Sequence, residues 1–253
     1  MHSRSGDDMP LSPSPSLDYL KEQITAVLED PATGHGLSRT LRAATKEIEI
    51  SRFHRTSSSA WPNGRIDTAP ANVQIGGGAH RIEGFFNIDA VPPADLLWDV
   101  REGIPLQDGS VQCMFSEHFV EHIDYPRSAK LYAQEAHRVL ASGGRLITGV
   151  PDAAFLLKHY PANPGLADEM VKRWYSKRDC VGDINTFLDL INYMFRDQGD
   201  TPNYTPHHWA YDQEKLTQMF REAGFESVEA WDFDPAIANP KRQWGSVYVL
   251  ATK

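Results

Sequence analysis

The sequence predicts an α/β fold: a doubly wound, mostly parallel seven-stranded sheet with an antiparallel last strand, an N-terminal helical appendage and a helical cap insertion. Three observations predict it. From residue 72 onward, short apolar runs alternate with segments of helical spacing. A triple glycine, Gly76-Gly77-Gly78, follows the first run and turns the chain sharply. The last two apolar runs are joined by DPAIANPKRQWG, a loop with no helical pattern, so they pair antiparallel.

Residues 1–16 read as a disordered tail without the apolar core of a secretory signal. Residues 17–71 form the appendage. Leu17, Leu20, Ile24, Val27 and Leu28 give a helix over 17–29, and Leu37, Leu41, Ala44 and Ile48 another over 37–53. The polar run RTSSSAWPNGRIDTAPA then makes a loop into the main domain, 72–253. Strands are expected at 72–76, 85–89, 95–99, 111–116 and 144–150, with a helix at 127–140 between the last two. Gly143-Gly144 ends that helical region and leads into RLITGVP, an apolar run suited to a buried parallel strand. The section 153–206, with helical patterns near 166–178 and 184–197, is too long for a simple crossover and reads as a cap. Asp212 is placed to cap a helix over 213–223, which Gly224 stops. Strands at 226–233 and 246–252 complete the sheet.

Composition narrows the function classes. The net charge is −9, from 25 basic and 34 acidic residues, which disfavours nucleic-acid partners needing a positive field. No apolar run approaches the ~18 residues of a membrane span. Cys113 and Cys180 form no disulfide or metal pattern, and a reduced, cytoplasmic setting is expected. The N-terminal helices are candidates for homodimer contacts.

The stretch VQIGGGAHRIEGFFNIDAVPPADLLWDV, residues 73–100, carries the most chemistry. Glycines let backbone approach a ligand where a Cβ would clash. Asp89 ends the second run and suits a ribose diol; Asp99 ends the third and suits an exocyclic amine. No phosphate-binding lysine follows the glycines, so this is not a P-loop. Gly76 and Asp89 stand only 13 positions apart. Dinucleotide folds space these by ~20 residues with a full helix between. HRIEGF leaves room for a turn, so the first crossover helix is lost or reduced, which argues against a pyrophosphate ligand.

With those residues in view, the chain resembles class I S-adenosylmethionine-dependent methyltransferases over about residues 72–253. The matching segments, in order, are VQIGGG, NIDA, LLWDV, SVQCMFSEHFVEHI, EAHRVLASGGRLITGVPD and HHWAYDQEKLTQMFREAGF. Within that family it is similar to the type 11 group acting on small molecules. The resemblance implies S-adenosylmethionine as cofactor. Gly76, Gly77 and Gly78 would lie beside its methionine part, and Asp89 would hold the ribose hydroxyls. Asp99 and the backbone of Val100 would meet the adenine. Ser116 and Glu117 would line the methionine moiety and the reacting methyl.

His118-Phe119-Val120-Glu121-His122 matches H-x-x-E-H, a zinc-protease pattern. Such a site needs helical context and a third ligand. Here the pattern directly follows a strand, so no metal is expected, and Glu121 and His122 read as a helix-start pair bonding to backbone. Glu117, His118, Asp152, His207 and His208 are the candidate catalytic residues, because each falls at a strand end or ahead of the final helix, where parallel sheets bind ligands. His159, Tyr160 and Trp174 could line an acceptor pocket or serve as core; Tyr211 and Asp212 suit the helix start.

The expected activity is methyl transfer to an amine or hydroxyl of a small polar molecule, such as an aminoglycoside or amino sugar in natural-product (antibiotic) biosynthesis. The acidic balance tilts the expectation toward nitrogen. O-methylation of a sugar or polyketide and a catalytically inactive cofactor-binding module are the alternatives. SEHF stands where amino-adenine methyltransferases carry N-P-P-Y or D-P-P-Y.

Overall fold

The computed structural model describes residues 16–61, 65–66, 70–160, 164–175, 184–196 and 205–253. Nearly all of the expected tail, the ends of both expected cap helices and Cys180 lie outside them. The chain forms two compact units, 1–52 and 53–253.

In the first unit, α1 (Leu17–Glu29) begins at Ser16, whose hydroxyl accepts from the Tyr19 N–H. Helix α2 (His35–Ser59) buries Ile48 and Ile50. Lys21 of α1 pairs with Glu49 and Asp18 with Arg52. The expected second helix ended at 53, yet α2 runs on to Ser59. Serines there bond back into the helix: Ser58 Oγ donates to the Arg55 carbonyl and Ser59 Oγ to that of Thr56. Such back-bonding satisfies the polar side chains without a turn.

The second unit holds the sheet: β1 (Asn72–Ile75), β2 (Phe86–Asp89), β3 (Leu96–Leu97), β4 (Val111–Glu117), β5 (Leu140–Pro151), β6 (Ser227–Ala230) and β7 (Ser246–Thr252). The order is β3-β2-β1-β4-β5-β7-β6. All pairs through β5 are parallel, and β7 runs antiparallel to both β5 and β6, as the lack of a crossover helix before it predicts; that loop holds only the 3₁₀ turn Pro240–Arg242. Between β1 and β2 there are only turns, so the first crossover helix is indeed absent.

Helix α3 (Arg127–Val139) buries Ala129, Tyr132, Ala133, Ala136 and Val139, the single face its periodicity allows. Helix α7 (Gln213–Glu222) starts at Asp212, whose carboxylate accepts from the Lys215 N–H, and buries Leu216, Met219 and Phe220. Both helices add to one core with β1, β2, β4, β5 and β7. After β5 come α4 (Ala153–His159), α5 (Pro164–Met170) and α6 (Phe187–Arg196). They share a smaller core of Leu156, Met170, Leu190, Ile191 and Met194. No helix among the described residues is long and apolar enough to cross a membrane.

Candidate active site

Parallel sheets bind ligands outside their carboxyl ends, at the point where strand order reverses. Here that point is β1, flanked by β2 and β4. The glycine loop leaves β1 there. Gly76 takes φ +66° and packs on Phe119: a Cβ would come within 2.5 Å of the ring. At Gly77 a Cβ would meet the Gln74 side chain at 2.6 Å and Asn87 Oδ1 at 2.7 Å. Gly78 takes φ +52° with open space beside it. The loop amides are held from below. Gly77 N–H donates to Asn87 Oδ1 (3.1 Å) and Gly78 N–H to Asp89 Oδ2 (3.0 Å). Buried Gln74 clamps the next turn, donating to the His80 carbonyl and accepting from Ile82 N–H. Two polar residues inside buried strands, Gln74 and Asn87, are the sequence signal for this support.

Asp89 also accepts from Val91 N–H at 3.2 Å. A carboxylate has about four acceptor sites, so Asp89 can anchor the loop and reach a ribose diol together. Asp99 is differently engaged. It caps the 3₁₀ turn Val100–Glu102, and the Arg101 guanidinium grips both its oxygens at 2.8–3.1 Å. An amine approaching Asp99 must share it with Arg101, a residue the sequence reading missed. Val100 is buried beneath the same turn.

At the end of β4, the Ser116 and Glu117 side chains turn into the protein. Ser116 Oγ is fully buried, bonded to Thr148 Oγ1 (3.1 Å) and accepting from Tyr132 OH (3.2 Å). Burial raises the Tyr132 phenol to about 12, keeping it a donor. Glu117 is a latch: Oε1 accepts from Tyr248 OH (2.7 Å) and Asn239 N–H (3.0 Å), and Oε2 from Arg242 (3.2 Å). Gly149 makes room for it, since a Cβ there would lie 2.2 Å from the Tyr248 ring. These partners leave its carboxylate poorly placed to face a reacting methyl.

His118 takes φ +52°, an uncommon conformation for a residue with a Cβ. Its N–H donates to the Gly149 carbonyl, and Nε2 shares a 2.8 Å hydrogen bond with Ser246 Oγ. Burial, then the nearby Arg242 and the imidazoles of His207 and His122, hold its pKa well below the usual 6.5. It is therefore neutral at neutral pH.

Glu121 and His122 sit on the 3₁₀ turn Val120–His122. The backbone-bonded reading of this pair fails for Glu121. Its side chain is 2 % exposed, and neither oxygen has a hydrogen-bond partner among the described residues. Burial pushes its pKa up to about 8. His118 Nδ1 lies 3.7 Å and His122 Nε2 3.9 Å from Oε1. His207 joins them, its ring 4.7 Å from that of His122 and its Nδ1 2.5 Å from the Met194 carbonyl. His208 is exposed; its N–H donates to the Glu121 carbonyl (2.7 Å), clipping the segment before α7 onto this turn. Asp152 caps α4, accepting from Ala154 N–H, and burial raises its carboxyl. His159 bonds to the Phe155 carbonyl, Tyr160 is exposed, and the Trp174 side chain lies outside the described residues. Of the five expected catalytic residues, His118 and His207 thus meet around Glu121, while Glu117 is held by Asn239, Arg242 and Tyr248, Asp152 caps α4 and the exposed His208 gives its backbone N–H to Glu121.

The residues present fit a nucleoside-sulfonium ligand. The open face at Gly78 suits the close approach of a methionine chain, Asp89 at the end of β2 keeps acceptor capacity suited to a ribose diol, and the missing crossover helix suits a ligand without phosphate.

Residues 86–148, from β2 into β5, match the family model described as a methyltransferase domain. An uncharacterized 37.1 kDa protein in transposon TN4556 of Streptomyces fradiae is 41 % identical over 101 residues, 40 % of this chain; the match spans 27 % of that relative's length. Among solved structures, a SAM-dependent methyltransferase from Thermotoga maritima aligns at TM-score 0.43 and 18 % identity, covering 85 % of this chain and 97 % of the other. One from Mesorhizobium loti aligns at 0.40 and 15 %, covering 77 % and 96 %. Likenesses this distant carry no residue role or substrate across. The segment that matches the methyltransferase-domain model is thus seated in the seven-stranded sheet, from β2 through β4 into β5.

Proposed function

We propose that the chain methylates a hydroxyl of a small polar molecule. One observation carries this reading: His118, held neutral, stands at the end of β4 next to Phe119, the residue on which the glycine loop packs. That supports His118 as the proton acceptor for a methyl donor held at the glycine loop. The sulfonium of S-adenosylmethionine supplies an already activated methyl, so no covalent enzyme intermediate is needed. The protein's task is to align an oxygen lone pair about 3 Å behind the methyl, accept the hydroxyl proton and exclude water. The glycine loop and Asp89 hold the donor, His118 takes the proton, and the helices α4 to α6 form a cap over the acceptor.

The acidic balance favours nitrogen only if carboxylates of the site are free to bind an ammonium. Glu117 is occupied by Arg242, Tyr248 and Asn239, and Asp152 by its helix, which weakens that support. The net charge of −9 supports a small acceptor over a nucleic acid. A role in natural-product pathways belongs to this proposal alone, as does a cytoplasmic setting. So does dimerisation through α1 and α2, whose exposed Tyr19, Leu20, Val27 and Leu37 suit an apolar contact.

The test is a screen of hydroxylated compounds and amino sugars, reading S-adenosylhomocysteine release and locating the added methyl. A methyl on oxygen is expected, with His118→Ala lowering turnover about 100-fold and leaving S-adenosylhomocysteine affinity within about twofold. A methyl on nitrogen overturns the hydroxyl assignment. Tight cofactor binding without turnover on any acceptor favours the inactive binding module.

A further inference from the structure

We propose that Glu121, His122 and His207 bind a divalent transition-metal cation at the acceptor side of the β4 end. Each offers one ligand atom, and the three atoms lie within 4.8 Å of one another. Ligands around a tetrahedral zinc stand about 3.3 Å apart, so small side-chain rotations close the set. One carboxylate with two imidazoles is a borderline donor set suited to Zn²⁺ or a neighbouring first-row ion, and unsuited to Mg²⁺ or Ca²⁺.

A second observation points to a ligand independently. Glu121 is 2 % exposed, and both its oxygens lack a hydrogen-bond partner among the described residues. The buried Tyr211 hydroxyl, which feels the charge of Glu121, lacks one too. Burying a carboxylate without hydrogen bonds costs several kcal/mol, and a cation compensates it directly.

The outer contacts are those of a metal ligand. The Met194 carbonyl can only accept, so His207 Nδ1 carries the proton and Nε2 the lone pair. A backbone carbonyl on the distal nitrogen is the usual device for orienting a ligating imidazole. The Glu121 carbonyl accepts from His208 and Trp209 N–H groups, which holds the His207 segment against the turn bearing Glu121 and His122. This set differs from the H-x-x-E-H protease pattern. It uses one histidine of that pattern, on a 3₁₀ turn instead of a helix, and takes its third ligand from far along the chain.

Three protein ligands leave a position open. An acceptor oxygen could occupy it, polarised by the cation. That role rests on the proposed hydroxyl acceptor; cation binding does not.

The full-length chain, stripped with a chelator, is titrated with Zn²⁺ and separately with Co²⁺ by calorimetry and visible absorption. One equivalent of each is expected to bind. Glu121→Gln and His207→Gln are each expected to weaken Zn²⁺ by about 100-fold or more and to abolish its stabilising shift in thermal melting. Both variants should keep S-adenosylhomocysteine affinity, which also reports folding. If Glu121→Gln does not fold, His207→Gln decides alone. Absence of stoichiometric binding, or binding that survives the substitutions, overturns the proposal. Loss of S-adenosylhomocysteine binding in the parent chain would instead strike at the methyltransferase reading, so the two failures are distinguishable.

Discussion

Replacing Gly77 with alanine should damage the fold, and replacing Gly78 should damage cofactor binding. At Gly77 the new methyl would sit 2.6 Å from the Gln74 amide and 2.7 Å from Asn87 Oδ1. Neither neighbour can retreat cheaply. Gln74 is 2 % exposed and holds the His80 carbonyl and the Ile82 amide; Asn87 is fully buried and accepts from Gly77 itself. Overpacking of this kind costs about 1–3 kcal/mol. Each neutral hydrogen bond disturbed adds about 1 kcal/mol. If one of the three is lost with mid-range overpacking, the total is about 3 kcal/mol, a fall of about 6–12 °C in melting temperature for a domain of this size. At Gly78 the methyl meets nothing within 4 Å. Only the left-handed backbone opposes it, at about 1–2 kcal/mol. The methyl would however project into space assigned to the methionine chain, and S-adenosylhomocysteine affinity should fall about tenfold or more. Scanning calorimetry and titration calorimetry on both variants check this. Equal melting temperatures for parent and Gly77→Ala, or unchanged affinity in Gly78→Ala, would refute the reasoning.

Asp89→Ala should weaken S-adenosylhomocysteine binding by about 10- to 100-fold, because charged hydrogen bonds of about 1.5–3 kcal/mol to the loop and ribose are removed; unchanged affinity by titration calorimetry contradicts the assignment. Glu117→Ala should lower the melting temperature by about 4–12 °C, since it strips partners from Tyr248, Asn239 and the partly exposed Arg242, a loss of about 2–3 kcal/mol. An unchanged melt would free Glu117 for the ligand. At Glu135, burial opposes ionisation, but bonds from Arg138 and the Ile104 amide outweigh it and depress the carboxyl below its ordinary 4.5. A depressed acid stabilises the fold above the unfolded value and loses that contribution as pH falls through the folded one. The stability gap between parent and Glu135→Gln, from urea denaturation, should therefore be constant above pH 4.5 and shrink below it; a gap constant down to pH 3 contradicts the Arg138–Glu135 pairing as the cause.

The sheet was legible because burial imposes local periods. Val73 and Ile75, the 111–116 run and the α3 face all announce their elements within a few residues. The short spacing from Gly76 to Asp89 forbade a crossover helix on length alone, and none forms. Asp212 and Gly224 bracketed α7 through capping chemistry, which is also local. The site was harder, because its side chains are decided by contacts between distant segments. Glu117 looked like a base at a strand end, but residues of the final loop and β7 claim it. Arg101 lies two residues from Asp99, yet nothing in the pattern says that its guanidinium folds back on that carboxylate. The meeting of Glu121 and His122 with His207 depends on how the segment before α7 docks, which no spacing within either segment encodes. The extension of α2 shows the converse: serines read as loop formers bonded back into the helix instead.

Calorimetric titration of the full-length chain with S-adenosylmethionine and S-adenosylhomocysteine tests the proposed cofactor site most directly. Saturable binding of both is expected at one site per chain, weakened by Asp89→Ala and by Gly78→Ala. Failure of both ligands to bind the folded chain would contradict it.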